Sequence, residues 1–263
     1  MEIAIDGRTA YAATGGRPFD PALPAILFLH GAGMDHSVWA LQTRFFAHRG
    51  FAVAAPDLPG HGRSAGPSLE SIAAMADWVV RLLDALGAGT AALVGHSMGS
   101  LVAFDCAARH PERVRALALL GAAPRMPVHP DLLAAAAAND HRAFELMCDW
   151  GHGPAGHYGG HRAPGLWLLG GGIRLLERVP EGVLSRDMEA CNAYQEVEPL
   201  AAGIAAPCLV LSGDRDRMTP ARAGGKLAKL IPGSGFRTLA GAGHMMMLEQ
   251  PDETLDALKE FLA

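Results

Sequence analysis

The apolar run Ala91 to Val94 ends in Gly95-His96-Ser97-Met98-Gly99, and a helical pattern from Met98 to Arg109 follows at once. A chain that passes from strand to helix in so few residues must turn so tightly that glycines have to flank the central residue. This is the layout of a nucleophile elbow. Ser97 is expected to be pushed into the crevice above a sheet, its hydroxyl exposed and the helix N-terminus beneath it.

Further short apolar runs alternate with longer helical patterns along the chain. The runs Ile26 to Leu29, Ala52 to Ala55, Ala116 to Leu120 and Leu209 to Leu211 are apolar on both faces, as strands of a buried parallel sheet must be. Helices are expected over Val38 to His48 and Leu69 to Leu86, the latter with Ile72, Ala76, Val79, Leu83 and Leu86 on one face, Ser68 as N-cap and Gly87 as stop. A last helix from about Asp252 to Leu262 carries acidic residues in its first turn. Near the start, Asp6-Gly7 between Ile3-Ala4-Ile5 and Thr9-Ala10-Tyr11 signals a tight hairpin. The expected fold is α/β: a mostly parallel wound sheet flanked by helices.

The alternation breaks between Pro124 and Pro199, a stretch that is Ala-rich (Ala134 to Ala138), then Gly/His-rich (Gly151 to His161), then helical (Leu184 to Gln195). It is expected to be a helical cap, residues 124–199, inserted over the C-terminal edge of a core made of 1–123 and 200–263, where ligands bind in open α/β folds. Trp150, Trp167 and Met188 are expected to pack it on the sheet edge; Trp150, together with Met245 beside His244, is also a candidate for the substrate pocket.

Composition removes several classes. Of 263 residues, half are hydrophobic and 19% charged, which excludes general disorder. With 22 basic and 27 acidic residues the formal net charge is −5, leaving no surplus to neutralise a nucleic-acid backbone. No apolar run reaches the length of a membrane span. The stretch Met1 to Asp6 lacks a basic region followed by an apolar core, so a cytoplasmic location is expected. Cys106, Cys148, Cys191 and Cys208 stand far apart and suggest neither zinc nor a disulfide framework.

A serine hydroxyl is a poor nucleophile until a base takes its proton. Of the twelve histidines, His244 lies in the loop Ala240-Gly241-Ala242-Gly243-His244, after the strand-like Phe236 to Leu239, and can reach back over the sheet edge. His36 is the other contender. His96 adjoins Ser97 but should leave the strand on the opposite side, in a packing role. The histidine needs a carboxylate to hold its tautomer. Leu209 to Leu211 leads into Ser212-Gly213-Asp214-Arg215-Asp216, and composition does not choose between Asp214 and Asp216.

The order Ser97, then Asp, then His244, with His30-Gly31-Ala32-Gly33 after an early strand, resembles the α/β-hydrolase fold family over nearly the whole chain outside the insertion. Pro56-Asp57-Leu58-Pro59-Gly60-His61-Gly62-Arg63-Ser64 and Gly241-x-Gly243-His244 followed by Leu248-Glu249-Gln250-Pro251 are part of that resemblance. It implies Asp216, through a Gly-x-x-Asp pattern, as the acid. It also implies an oxyanion hole made of the backbone N–H groups of Ala32 and Met98. The implied activity is that of a serine hydrolase acting on a carboxylic ester or related acyl bond of a small molecule, with neither metal nor organic cofactor. Ser97 in place of a carboxylate argues against haloalkane dehalogenase and epoxide hydrolase relatives. Carbon–carbon bond hydrolases, thioesterases, cofactor-free perhydrolases and hydroxynitrile lyases share such a triad, and so does a receptor that binds a small molecule without turnover.

Two other patterns compete. Gly31-x-Gly33, with Asp57 lying 24 residues beyond Gly33, imitates a dinucleotide fingerprint, but His36 holds the third glycine position. His152, His157 and His161 could suggest a metal site, but no acidic or cysteine partner stands in spacing, and a solvated cap loop is the expectation. The sequence leaves the oligomeric state open.

Overall fold

The computed structural model describes residues 1–157, 160–161 and 165–262. Part of the Gly/His-rich stretch of the insertion therefore lies outside the described residues. The hairpin forms as expected. Strands β1 (Glu2–Ile5) and β2 (Arg8–Ala13) pair antiparallel with Ile3 opposite Ala10, and Asp6 and Gly7 both take positive φ (51° and 73°), the geometry a two-residue hairpin turn requires.

Strands β3 (Ala25–Leu29), β4 (Ala52–Pro56), β5 (Ala91–His96), β6 (Val114–Leu120), β7 (Cys208–Gly213) and β8 (Gly235–Leu239) complete one sheet in the order β1-β2-β4-β3-β5-β6-β7-β8. All neighbours from β4 to β8 are parallel. β3, β4, β5 and β7 are buried along their whole length, which is why their sequences are apolar on both faces. The chain runs from β3 outward to β4 and then returns to β5 on the other side of β3. That reversal opens a crevice beyond the C-terminal ends of β3 and β5, the place where wound sheets bind ligands. The turns after these two strands carry Ala32 and Ser97.

Between strands lie α1 (Ala40–Ala47), α2 (Ile72–Ala85) and α3 (Met98–Arg109). A 3₁₀ turn, His36–Trp39, precedes α1 where the sequence suggested continuous helix from Val38. The cap of α2 also differs from expectation. Ser71, not Ser68, accepts the N–H of Ala74 (3.2 Å), while Ser68 is buried and its Oγ accepts from Arg186 (3.0 Å). Gly87 ends the helix with φ 69°, as its sequence position suggested. Ser71→Ala should therefore cost about 1 kcal/mol, measured by urea unfolding.

Residues 124–199 contain α4 (Pro130–Ala137), α5 (Arg142–Gly151), α6 (Pro154–His157), α7 (Leu168–Leu176), α8 (Val183–Ala193) and α9 (Val197–Leu200), with no strand among the described residues. The chain then passes through α10 (Ala221–Leu230) between β7 and β8, a short α11 (Met246–Glu249) and α12 (Pro251–Leu262), whose first turn carries Asp252 and Glu253. No helix among the described residues is long and apolar enough to cross a membrane. The four cysteines are buried free thiols. Trp167 departs from expectation: it is 67% exposed rather than packed on the sheet edge, because α7 begins only after it and turns Leu168 inward instead.

Candidate active site

Ser97 sits between β5 and α3 with φ 53° and ψ −119°, a backbone region costly for any residue with a side chain, by about 1–3 kcal/mol. The surroundings hold it there. Its N–H donates to Leu120 O (2.9 Å), and a Cβ on Gly95 would strike the Gly99 carbonyl. A Cβ on Gly99 would strike the carbonyls of Leu29 and His30 on the neighbouring strand end. The glycines are thus demanded by backbone meeting backbone. The loop after β3 lies directly on Ser97, since a Cβ on Gly31 would come within 3.3 Å of the Ser97 Cβ.

The loop after β8 brings His244 to the same place. Its Nδ1 lies 2.8 Å from Asp216 Oδ2, and both side chains are buried. Asp216 also accepts from Thr219 Oγ1 on Oδ2 (2.7 Å) and from the N–H groups of Met218 and Thr219 on Oδ1 (both 2.8 Å). Burial alone would raise this carboxyl, but its contact with His244 and the two Thr219 donors hold it below the ordinary carboxylate range. A carboxylate facing Nδ1 keeps the proton on that nitrogen. Nε2 is then a lone pair, and it is buried with no hydrogen-bond partner among the described residues.

Of the two aspartates on this loop, which composition left open and the family resemblance resolved toward Asp216, the fold brings Asp216 to His244. Asp214 instead accepts the Gly241 N–H (2.7 Å), tying the β7 loop to the histidine loop. His36 is also placed elsewhere: its Nδ1 and its backbone N–H both meet Asp57 Oδ1 (2.8 and 2.7 Å), and the Arg63 N–H donates to Asp57 Oδ2 (2.8 Å). Asp35, His36 and Asp57 bring ligand-type atoms within 4.8 Å of one another, but these atoms are occupied in bracing the loops they come from.

His96 is buried as expected, but it does not leave the site. Its Nε2 donates to the His244 carbonyl (3.0 Å) and the two rings pack with centroids 4.7 Å apart. Burial and the neighbouring His244 push the His96 imidazole well below its usual range, so it stays neutral under that loop. Gly121, at the end of β6 with φ 60°, makes room for the His244 ring, which a Cβ there would approach to 2.9 Å. Glu249 was not singled out by sequence. It is buried and accepts both the Gly153 N–H (2.7 Å) and the Gly243 N–H (3.0 Å), fastening the insertion to the histidine loop. Only its place in the Leu248-Glu249-Gln250-Pro251 stretch could have drawn notice. His152 is likewise buried, its Nδ1 donating to Cys148 O (2.9 Å), and so is not part of a solvated loop. His161 Nε2 meets the Leu248 carbonyl at 3.0 Å.

Ser97, His244 and Ala32 line one cavity of about 510 Å³, within the range typical of small-molecule sites. The insertion supplies much of its wall through Met126, Val128, Leu132, Met147, Trp150 and Met188, and Met218 and Met245 add more apolar surface. Trp150 and Met245 thus stand where a bound molecule would touch them. Met98 opens α3 beside Ser97 and is fully buried.

A model of the "Alpha/beta hydrolase family" matches residues 26–257. The chain belongs to that family. This α/β-hydrolase chain is 31% identical over 259 residues to a pimeloyl-[acyl-carrier protein] methyl ester esterase of Chromobacterium violaceum, covering 91% of this chain and 94% of that one. Its fold is similar to that of an enol-lactonase from Burkholderia xenovorans LB400, with a TM-score of 0.87, 26% identity and coverage of 100% and 99%. It is also similar to Est816, described as an N-acyl homoserine lactone degrading enzyme, with a TM-score of 0.84, 28% identity and coverage of 99% and 100%. The shared α/β-hydrolase fold accounts for the order of the parallel strands.

Proposed function

We propose that this chain is a serine hydrolase that cleaves a carboxylic ester, open or cyclic, of a small and largely apolar molecule through an acyl-enzyme. The single observation that carries it is His244 Nε2, buried with no hydrogen-bond partner among the described residues, on a residue that lines the same cavity as Ser97. The base takes the Ser97 proton as Oγ bonds to the ester carbonyl carbon. The carbonyl π pair moves onto oxygen and is met by the N–H groups of Ala32 and Met98. Collapse of that tetrahedral species expels the alkoxide, which takes the proton back from His244. Water, deprotonated by the same nitrogen, then attacks the acyl carbon and releases the acid and Ser97. Asp216 keeps His244 in the Nδ1–H tautomer and stabilises the imidazolium formed at each step.

The names of the similar proteins, a methyl ester esterase, an enol-lactonase and an enzyme that degrades N-acyl homoserine lactones, support this choice, since each names a molecule that carries an ester, open or cyclic. Residues 124–199 act as the cap that selects the substrate over the core of 1–123 and 200–263, with Trp150 and Met245 in contact with it. The four buried thiols fit a reducing, cytoplasmic setting. A panel of chromogenic acyl esters, lactones, thioesters and ring-cleavage diketones tests the assignment. Turnover of the oxygen esters is expected, with apolar acyl groups preferred. Cleavage of diketones alone would overturn it.

A further inference from the structure

Ala32 N–H can serve a developing oxyanion only if the peptides on either side of it are held still. Both are held, from opposite directions. The Gly31 carbonyl, on the same peptide as the Ala32 N–H, accepts from His30 Nδ1 (2.8 Å) and from the Met34 N–H (3.2 Å). His30 in turn accepts the Leu58 N–H on Nε2 (3.0 Å), which fixes it as the Nδ1–H tautomer. Burial, with His61 nearby, lowers its imidazole to about 4, so it is neutral. The next peptide is held from the insertion. The Gly33 N–H donates to Asp187 Oδ2 (2.8 Å), a carboxyl 154 positions away on α8 and wholly buried. Gly33 has φ 65°, and a Cβ there would come within 2.9 Å of Leu184 on the same helix, so only glycine lets the loop approach α8 this closely.

The same Asp187 Oδ2 lies 2.8 Å from His61 Nε2, in a pair shielded from water on both sides. His61 Nδ1 faces the Pro59 carbonyl (3.1 Å), which can only accept, so that nitrogen carries a proton. The contact with Asp187 needs another, and the Asp187 oxygen at 2.8 Å favours it on the imidazole. Burial opposes this, but the Asp187 charge and hydrogen bond, the Pro59 carbonyl and the more distant Asp57 raise His61 above its usual range. The His30 and His61 rings lie 4.9 Å apart, one neutral and one charged, under the two peptides that flank Ala32. A charged pair taken out of water is a poor way to gain stability compared with apolar packing, whereas it holds direction well.

We propose that Asp187 and His61 are positioning residues, a buried carboxylate–imidazolium pair that aims the Ala32 N–H and makes completion of the oxyanion hole depend on the seating of α8. This rests on the assignment of Ala32 under Proposed function.

Two measurements test it. In wild-type protein with labelled histidine, the nitrogen and Cε1 resonances of His61 should report an imidazolium near neutral pH, identified by their loss in His61→Gln. Asp187→Asn keeps the size but removes the charge, and the one atom it sets in the place of Oδ2 cannot both accept the Gly33 N–H and donate to a neutral His61 Nε2, so one of the two contacts is lost. Its kcat, per folded protein, should fall about 10²-fold, the lower end of what loss of one oxyanion donor costs. KM should stay within about threefold, since the ground-state ester makes little use of the hole. Inhibition by a boronic acid, which forms a tetrahedral adduct on Ser97, should weaken by the same factor as kcat. A pin with a merely structural role would lower Tm and leave both kcat and boronate affinity in place, and that result overturns the proposal. So does a neutral His61. Should Asp187→Asn fail to fold, His61→Gln carries the same kinetic comparison and the resonances of the wild type decide the charge. Failure of the hydrolase assignment shows itself differently, as no ester turnover and no boronate adduct in the wild type, with the imidazolium still present.

Discussion

Ser97→Ala is expected to lower kcat by about 10⁶-fold while leaving the fold intact, in line with removal of the nucleophile from other serine triads. The size of the effect follows from the absence of a substitute. Ser100 Oγ is turned back onto the Ser97 carbonyl, and Ser64 Oγ donates to Asp57 O (2.7 Å), so neither hydroxyl faces the cavity. With alanine at 97, water would have to attack without an acyl-enzyme, aided only by the oxyanion donors. Steady-state turnover of a chromogenic ester measures the loss. In the wild type an organophosphonate should label Ser97 and no other serine, as located by mass spectrometry of peptides. An adduct on Ser64 or Ser100 would sink the assignment.

Asp216→Asn should lower kcat by about 10⁴-fold, whereas Asp214→Asn should cost only a few-fold. An asparagine at 216 can keep the Met218 and Thr219 N–H groups on its oxygen, because both now meet Oδ1 (2.8 Å each). Its NH₂ group then faces His244 Nδ1, which must accept rather than donate. The imidazole proton is driven to Nε2, and the nitrogen that should receive the Ser97 proton is already occupied. Asp214 meets the Gly241 N–H (2.7 Å) and, at 3.7 Å, the exposed Arg215 side chain; an asparagine oxygen can accept the first equally well, and loss of a solvent-screened ion pair costs little. Parallel kinetics on the two variants, with circular dichroism to show that both fold, make the comparison. Equal and large losses would mean that the loop and not one carboxylate is at stake. Near-wild-type rates in both would remove the acid from this loop.

The residues that sequence pattern located have their causes close by in the chain. Ser97 is legible because a strand that becomes a helix within a few residues cannot do so without Gly95 and Gly99, whatever the rest of the protein does. The buried strands are legible for a similar reason: a stretch covered on both faces has no position for a polar side chain, and β3 and β5 show none before their ends. Ser68 as a cap failed because cap preference depends on whether the side chain is free, and Arg186, which claims Ser68, comes from a helix 118 positions later. Strand alternation turns His96 away from Ser97, but alternation holds only within the strand and does not say what covers its end. The loop carrying His244 folds back over the strand end and meets it there.

The sequence by itself determined the wound sheet, the elbow serine and the presence of a histidine loop after the last strand, since each depends on local sterics or on a repeating burial pattern. Between Asp214 and Asp216 the residue pattern is silent beyond the family resemblance, and only the tertiary structure supplies a physical reason, by placing Asp216 on His244 and Asp214 on Gly241. Two carboxylates on one loop differ in nothing but direction, and the hydrogen bonds from Met218 and Thr219 set that direction. The same holds for Asp187, His61 and Glu249, whose work is to join segments far apart in the chain. Burial of a carboxylate is tolerable only where donors meet it, and those donors, the Gly33, Gly153 and Gly243 N–H groups, are common to every residue but proline. Nothing in a backbone N–H marks its residue in the sequence, so a site built from such bonds becomes visible only when the chain has folded.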